Sequence, residues 1–368
     1  MRRSNASRQS PRAAAECARS TTPRPAPSLI ARLPIRGRPE PESPAPNVTM
    51  RVTAVTVLLT HLGRGPRVPE PTRPSRGGLM ESATAAAKEE PMSANIKHVP
   101  RSGTVRTNGQ ELFYEIHGDG PPLVLVMGIG YDSSLWTLQQ VPVLSTRFRV
   151  VLLDNRDAGR SSRADHPYTI ADMADDVAGL LDALDIHHTH LLGLSMGSMI
   201  GMEFALRHAD RLDRLVLAGP GAAPARSAVD PISIWNWVKA NDPSGEVFGG
   251  QQFTWLFSSA FLRNQQAVQE TIALLASNPN PVEPEAYDRQ AQAYLHFDAL
   301  DRLGGIKAPT LVIVGEQDLL TPPSVAREVA GGIPGARFEI VRGDGSSHVV
   351  PLERPDDFNQ LVTNFLAE

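Results

Sequence analysis

Cysteine is all but absent from this 368-residue chain. Cys17 is the only one, so no disulfide framework can form within one molecule and no cysteine-based zinc site can be built. That fits a reducing compartment, and the cytoplasm is the expected location. Long apolar runs are missing as well. A membrane-spanning helix needs about 20 consecutive apolar residues. The longest early run, Val52 to Leu59, is too short and contains two threonines. Lysine is missing from the first 80 residues, which hold 14 arginines against four glutamates, a net charge of +10, and 13 of the 32 prolines. The remainder carries 22 basic and 36 acidic residues, a net −14. An acidic body repels a polyphosphate backbone, which argues against nucleic-acid binding.

The change of composition divides the chain into an extension over 1–91 and a body over 92–368. Segments such as Thr21-Thr22-Pro23-Arg24-Pro25-Ala26-Pro27 have neither helical nor strand period. They cannot bury enough apolar area to offset the entropy of ordering. Three readings compete. The extension is disordered or read through from a start upstream of Met92. It is a transit peptide, rich in Arg, Ser and Ala, though its prolines oppose an amphipathic helix. Or a secretory signal begins at Met50, although a clear cleavage site is missing. Organellar or secreted targeting therefore stays open.

From about residue 100, strand and helix signals alternate. Asn108-Gly109 reads as a hairpin turn between Thr104–Arg106 and Leu112–Ile116. Short apolar runs follow at 123–126, 150–153, 190–193, 215–218, 311–314 and 338–341. Runs apolar on both faces are the mark of parallel strands covered on both sides. Between them, apolar residues at 170, 173, 177, 180, 181 and 184 form one helical face. The expected fold class is α/β, a mostly parallel doubly wound sheet that starts with an antiparallel hairpin. About 90 residues separate the sixth strand from the seventh, too many for a loop. They predict a helical cap over about 222–308. Trp235, Trp255 and Phe257 are its candidate pocket residues, weighed against a plain role in the cap's own core.

Gly193-Leu194-Ser195-Met196-Gly197 carries the chemistry. It is a G-x-S-x-G sequence between an apolar strand and a helical stretch over 198–207, the context that makes a nucleophile elbow. Glycines on both sides let strand and helix approach closely and leave the central hydroxyl exposed. A serine needs a base, and the base needs an orienting acid. Asp318 follows the strand at 311–314 by a short turn, and His348 follows the last strand. Asp318 could instead cap the helix after Thr321-Pro322-Pro323, and Glu316 is the competing acid. The backbone N–H groups of Met196 and Ile129 are the candidate oxyanion donors, with Gly128 allowing the turn. His187, His188 and His190 lack metal-site spacing and read as a loop. No metal and no organic cofactor is expected.

On these residues the chain, from about 104 to 366, resembles the serine α/β-hydrolases. The resemblance lies close to the branch of 3-oxoadipate enol-lactonases and aclacinomycin-type methylesterases. It rests on the elbow, on Asp154-Asn155-Arg156-Asp157-Ala158-Gly159-Arg160-Ser161, on Gly315-Glu316-Gln317-Asp318 with Thr321-Pro322, and on His348. Met127-Gly128 departs from the His-Gly usual there, which alters how the loop is braced rather than the triad. The loop over 154–161 is expected to be a structural turn. The resemblance implies α/β-hydrolase architecture and cleavage of a small ester or lactone through an acyl-enzyme. Carbon–carbon bond hydrolysis and cofactor-free perhydrolysis on the same residues are the alternatives, and a slow-turnover ligand receptor is the alternative from another class. A homo-oligomer is compatible with the sequence.

Overall fold

The structure, a computed structural model, describes residues 101–368. The extension over 1–91, with Cys17 and the candidate starts Met50 and Met92, lies outside the described residues.

Strands β1 (Arg101–Thr107) and β2 (Gln110–His117) form the opening hairpin. Its turn residues Asn108 and Gly109 both have positive φ, 46° and 73°, the geometry of a two-residue hairpin loop. Then follow β3 (Pro122–Val126), β4 (Arg149–Leu153), β5 (Thr189–Leu194), β6 (Leu212–Ala218), β7 (Thr310–Gly315) and β8 (Arg337–Val341). The sheet order is β1-β2-β4-β3-β5-β6-β7-β8. β2 runs antiparallel to β4, and every pair from β4 to β8 is parallel.

The apolar runs are continuous because both faces are covered. Val124, Val126, Val151, Leu153, Leu191, Leu215 and Leu217 belong to one core cluster. Their alternates Leu123, Leu125, Val150, Leu152, Leu192 and Val216 belong to the other. Side chains on a strand alternate in direction, so one chain segment serves both cores. Helix α1 (Ile170–Ala183) puts Ile170, Met173, Val177, Leu180 and Leu181 into the first cluster. A reciprocal Thr169–Asp172 capping box starts it. Helix α2 (Met196–Arg207) begins two residues earlier than the sequence pattern suggests, directly after Ser195.

The long interval between β6 and β7 is helical. It contains α3 (Pro231–Asn241), α4 (Glu246–Leu256), α5 (Ser259–Arg263), α6 (Gln265–Ala276) and α7 (Pro284–Leu295). Trp235, Phe253, Phe257, Phe261, Tyr287 and Tyr294 are buried there and join the first core cluster. The insert is therefore packed onto the sheet domain. Helix α8 (Pro323–Gly332) follows β7, and α9 (Pro355–Leu366) closes the chain against the second cluster. Among the described residues no helix is long and apolar enough to cross a membrane.

Candidate active site

Ser195 stands between the end of β5 and the first residue of α2, with φ 58° and ψ −120°. Positive φ is unfavourable for a residue with a side chain and costs about 1–3 kcal/mol. The surroundings impose it. Ser195 N–H donates to Ala218 O at 2.9 Å, and Ser195 O accepts from Ser198 N at 2.8 Å. A Cβ on Gly193 would collide with Gly197 O, and one on Gly197 with Val126 O. Both flanking glycines are thus demanded by backbone packing, as the elbow motif predicts.

His348 Nδ1 lies 2.9 Å from Asp318 Oδ2 and 3.2 Å from Thr321 Oγ1. Both residues are only 2 % exposed. A carboxylate oxygen accepts from a ring N–H at this distance, the arrangement that in a neutral imidazole leaves Nε2 as the acceptor. Nε2 is buried and has no hydrogen-bond partner among the described residues. The hydrogen bond to Ser195 that an activated nucleophile uses is therefore not made in this state; such bonds often tighten only with substrate bound. Ser195 and His348 do line one cavity.

Asp318 does not cap the following helix, whose N-cap is Pro322 with no side-chain cap hydrogen bond; it orders its own turn instead. Its Oδ1 accepts from Leu320 N at 2.9 Å and Thr321 N at 2.8 Å, while Thr321 Oγ1 donates to Oδ2 at 3.0 Å. One carboxylate orders its own turn and faces the histidine. Glu316 points elsewhere, accepting from Arg342 Nη1 at 2.7 Å and Gly343 N at 3.1 Å. The turns after β7 and β8 are stitched together, since Gln317 N donates to Ser346 O at 2.8 Å. A Cβ on Gly315 would collide with that same oxygen.

The loop after β3 passes against the serine: a Cβ on Gly128 would lie 3.1 Å from Ser195 Cβ. Ile129 lines the cavity, and Met196, the first residue of α2, has an N–H with no partner inside the helix. The loop is braced from both sides. Asn155 Nδ2 donates to Met127 O at 3.0 Å, and Gly130 N–H donates to Gln290 Oε1 at 2.9 Å.

None of residues 154–161 lines the cavity; they are taken up in buried polar contacts. Arg156 makes two hydrogen bonds to Asp176, of 2.6 and 2.7 Å, deep in the core. Asp157 receives Arg289 of α7 at 2.6 and 2.8 Å. Burial pushes the Asp154 carboxyl up, but hydrogen bonds from Arg160 and Ser133 outweigh it and hold the group below the usual carboxylate range. His187 and His188 are exposed, while His190 sits in β5 with its ring edge-on to Phe148.

The cavity holds about 1130 Å³ of empty space, part of it open to solvent. Of the aromatic candidates, Trp235 and Phe257 line it and Trp255 does not. Trp255 is next to Leu256 on α4, and consecutive helical residues point about 100° apart, so the leucine takes the cavity face. Phe257 stacks on Phe261 with centroids 4.3 Å apart, giving the wall two parallel rings.

Several site residues carry no motif. Trp136, Tyr131 and Glu353 line the cavity. Tyr131 donates its hydroxyl to Gln252 at 3.0 Å, and burial holds its phenol well above the ordinary range. Only their place one loop beyond β3 and five residues beyond His348 could have suggested them.

Known proteins share this fold. A family described as "alpha/beta hydrolase fold" matches residues 121–355. RutD of Caulobacter sp. (strain K31), provisionally named a carbamate hydrolase, is 33% identical over 272 residues, covering 73% of this chain and 98% of RutD. The crystal structure of an enol-lactonase from Burkholderia xenovorans LB400 is 33% identical with a TM-score of 0.63, covering 72% of this chain and all of that one. A thermophilic esterase from Thermogutta terrifontis is 29% identical with the same TM-score, covering 73% of this chain and 98% of its own.

Proposed function

The chain belongs to the α/β-hydrolase family, and from that premise we propose that it is a serine hydrolase cleaving a small carboxylic ester or lactone through an acyl-enzyme. The observation that carries this is the His348 ring. Its Nδ1 is held by Asp318 at 2.9 Å, and its unpartnered Nε2 belongs to the same cavity as a serine in the strained elbow conformation.

In this reading Ser195 Oγ attacks the carbonyl carbon while His348 Nε2 takes its proton. Asp318 holds the imidazole in the tautomer that makes this feasible and stabilises the imidazolium. The carbonyl oxygen becomes an oxyanion that accepts from Met196 N–H and Ile129 N–H. Because both donors are backbone groups in packed turns, little reorganisation is needed when the charge develops. The imidazolium then gives its proton to the leaving alcohol oxygen, and a water activated by His348 cleaves the acyl-enzyme. Carbamate, lactone and ester cleavage are all acyl transfers to water. The named activities of the relatives are thus compatible with one machinery and do not select the substrate.

Hydrolysis of p-nitrophenyl acetate, butyrate and octanoate by the wild-type chain and by Ser195→Ala tests this reading. The account expects turnover that disappears in the variant. Equal turnover in both, above the uncatalysed rate, would remove Ser195 from the chemistry.

A further inference from the structure

We propose that the cavity selects an uncharged acyl chain and rejects one that ends in a carboxylate. The inference rests on the serine hydrolase reading and adds the charge class of its substrate. Most of the wall is apolar, with Leu135, Leu256, Phe257, Phe261, Leu274 and Leu275 among its members. Among the described residues that line it there is no arginine and no lysine.

Among the described residues the single carboxylate in the lining is Glu353. Its position is enforced. Oε2 accepts Ser258 N at 3.0 Å, Oε1 accepts Ser258 Oγ at 2.7 Å, and Ser347 Oγ also donates to Oε2. Ser258 caps α5 and lies between the cavity residues Phe257 and Phe261, and Ser347 precedes His348. Glu353 therefore joins the aromatic wall of the cap to the histidine turn and brings a negative charge to that junction.

An acyl chain ending in a carboxylate would lose its hydration on entering such a space. An ionised group taken out of water needs a paired charge or several donors, otherwise its entry is strongly disfavoured. Among the described residues no arginine or lysine is on offer in the lining. The Tyr131 hydroxyl is already donated to Gln252, and Gln139, Gln140 and Thr271 provide only neutral groups. Glu353 adds repulsion between like charges. A neutral chain of the same length meets none of these costs and gains apolar contact with the wall.

The test uses the full chain with two esters of equal length, p-nitrophenyl hexanoate and the mono-p-nitrophenyl ester of adipic acid. The expected kcat/KM is at least about 100-fold higher for the hexanoate. Leu275→Arg places a cation on the half-buried face of α6, where the aliphatic stem keeps its packing. It should lower the ratio at least about tenfold by improving the acid ester. Each ratio is taken within one preparation, so a loss of folded protein cancels, and the wild-type ratio decides alone if the variant does not fold. Esters hydrolysed within about threefold of each other would overturn the selectivity while leaving the hydrolase reading intact. Neither ester being hydrolysed would overturn both. A matched chain ending in trimethylammonium that outpaces the hexanoate would overturn the preference for an uncharged chain.

Discussion

Gln290 Oε1 accepts the N–H of Gly130 at 2.9 Å, and Gln290 Nε2 donates to Arg156 O at the same distance. The side chain is fully buried, and both ends of its amide are used. A residue of helix α7 in the cap thereby fixes the loop carrying the proposed oxyanion donor Ile129, together with the turn after β4. The cap lines the cavity and also helps to set the geometry beside Ser195.

Gln290→Ala frees Gly130 N–H and leaves Arg156 O unpaired. Loss of a direct oxyanion donor costs about 10²–10³ in turnover, so loosening its loop is expected to lower kcat about tenfold or more, with KM changed little. Kinetics normalised to titrated active sites check this. A fall confined to the number of titratable sites would show that Gln290 serves stability alone.

Asp318 and Glu316 are two residues apart and face different partners, the first His348 and the second Arg342. Asp318→Asn should reduce kcat by about 10⁴, because the amide favours the wrong imidazole tautomer. Glu316→Gln should stay within about twofold of wild type, as expected for a surface ion pair. The reverse ranking would move the acid to Glu316.

The parts of this site that were legible in the sequence are those that backbone geometry imposes. Gly193 and Gly197 are required because any side chain there collides with a neighbouring backbone oxygen, so the elbow leaves a local signature. The strands are legible because burial on both faces demands continuous apolar runs. Gln290, Tyr131 and Glu353 were not legible. Their roles depend on contacts across 160, 121 and 95 residues of chain, and no local pattern encodes them. Trp255 went astray for a related reason: aromatic spacing marks a packed helix without fixing which face meets the cavity.

The glycines offer a paired test of packing. Gly193→Ala should destabilise the protein by several kcal/mol or prevent folding, since the elbow cannot open without separating β5 from α2. Gly249 lies in α4 with nothing within 4 Å of its added Cβ. Gly249→Ala should stabilise by about 0.5–1 kcal/mol through lower chain entropy and better helix propensity. Thermal unfolding of the two variants beside wild type measures both.

Asp154 makes a prediction in pH. Its folded carboxyl is held low, so its stabilisation is present in full above the unfolded value of about 3.9 and is lost as pH falls through the folded one. Asp154→Asn should lower stability by about 2 kcal/mol at pH 7. The gap to wild type should narrow at pH 3. Urea midpoints at the two pH values check it, and a gap that widens in acid would contradict the assignment.

Activation of Ser195 by His348 underlies the whole proposed reaction. Its most direct test is covalent labelling of the full chain with a fluorophosphonate, followed by peptide mass mapping. The account predicts one adduct per chain, on Ser195, and labelling slowed by orders of magnitude in His348→Ala. Folded wild-type protein that takes up no label, or that carries it on another residue, would contradict it.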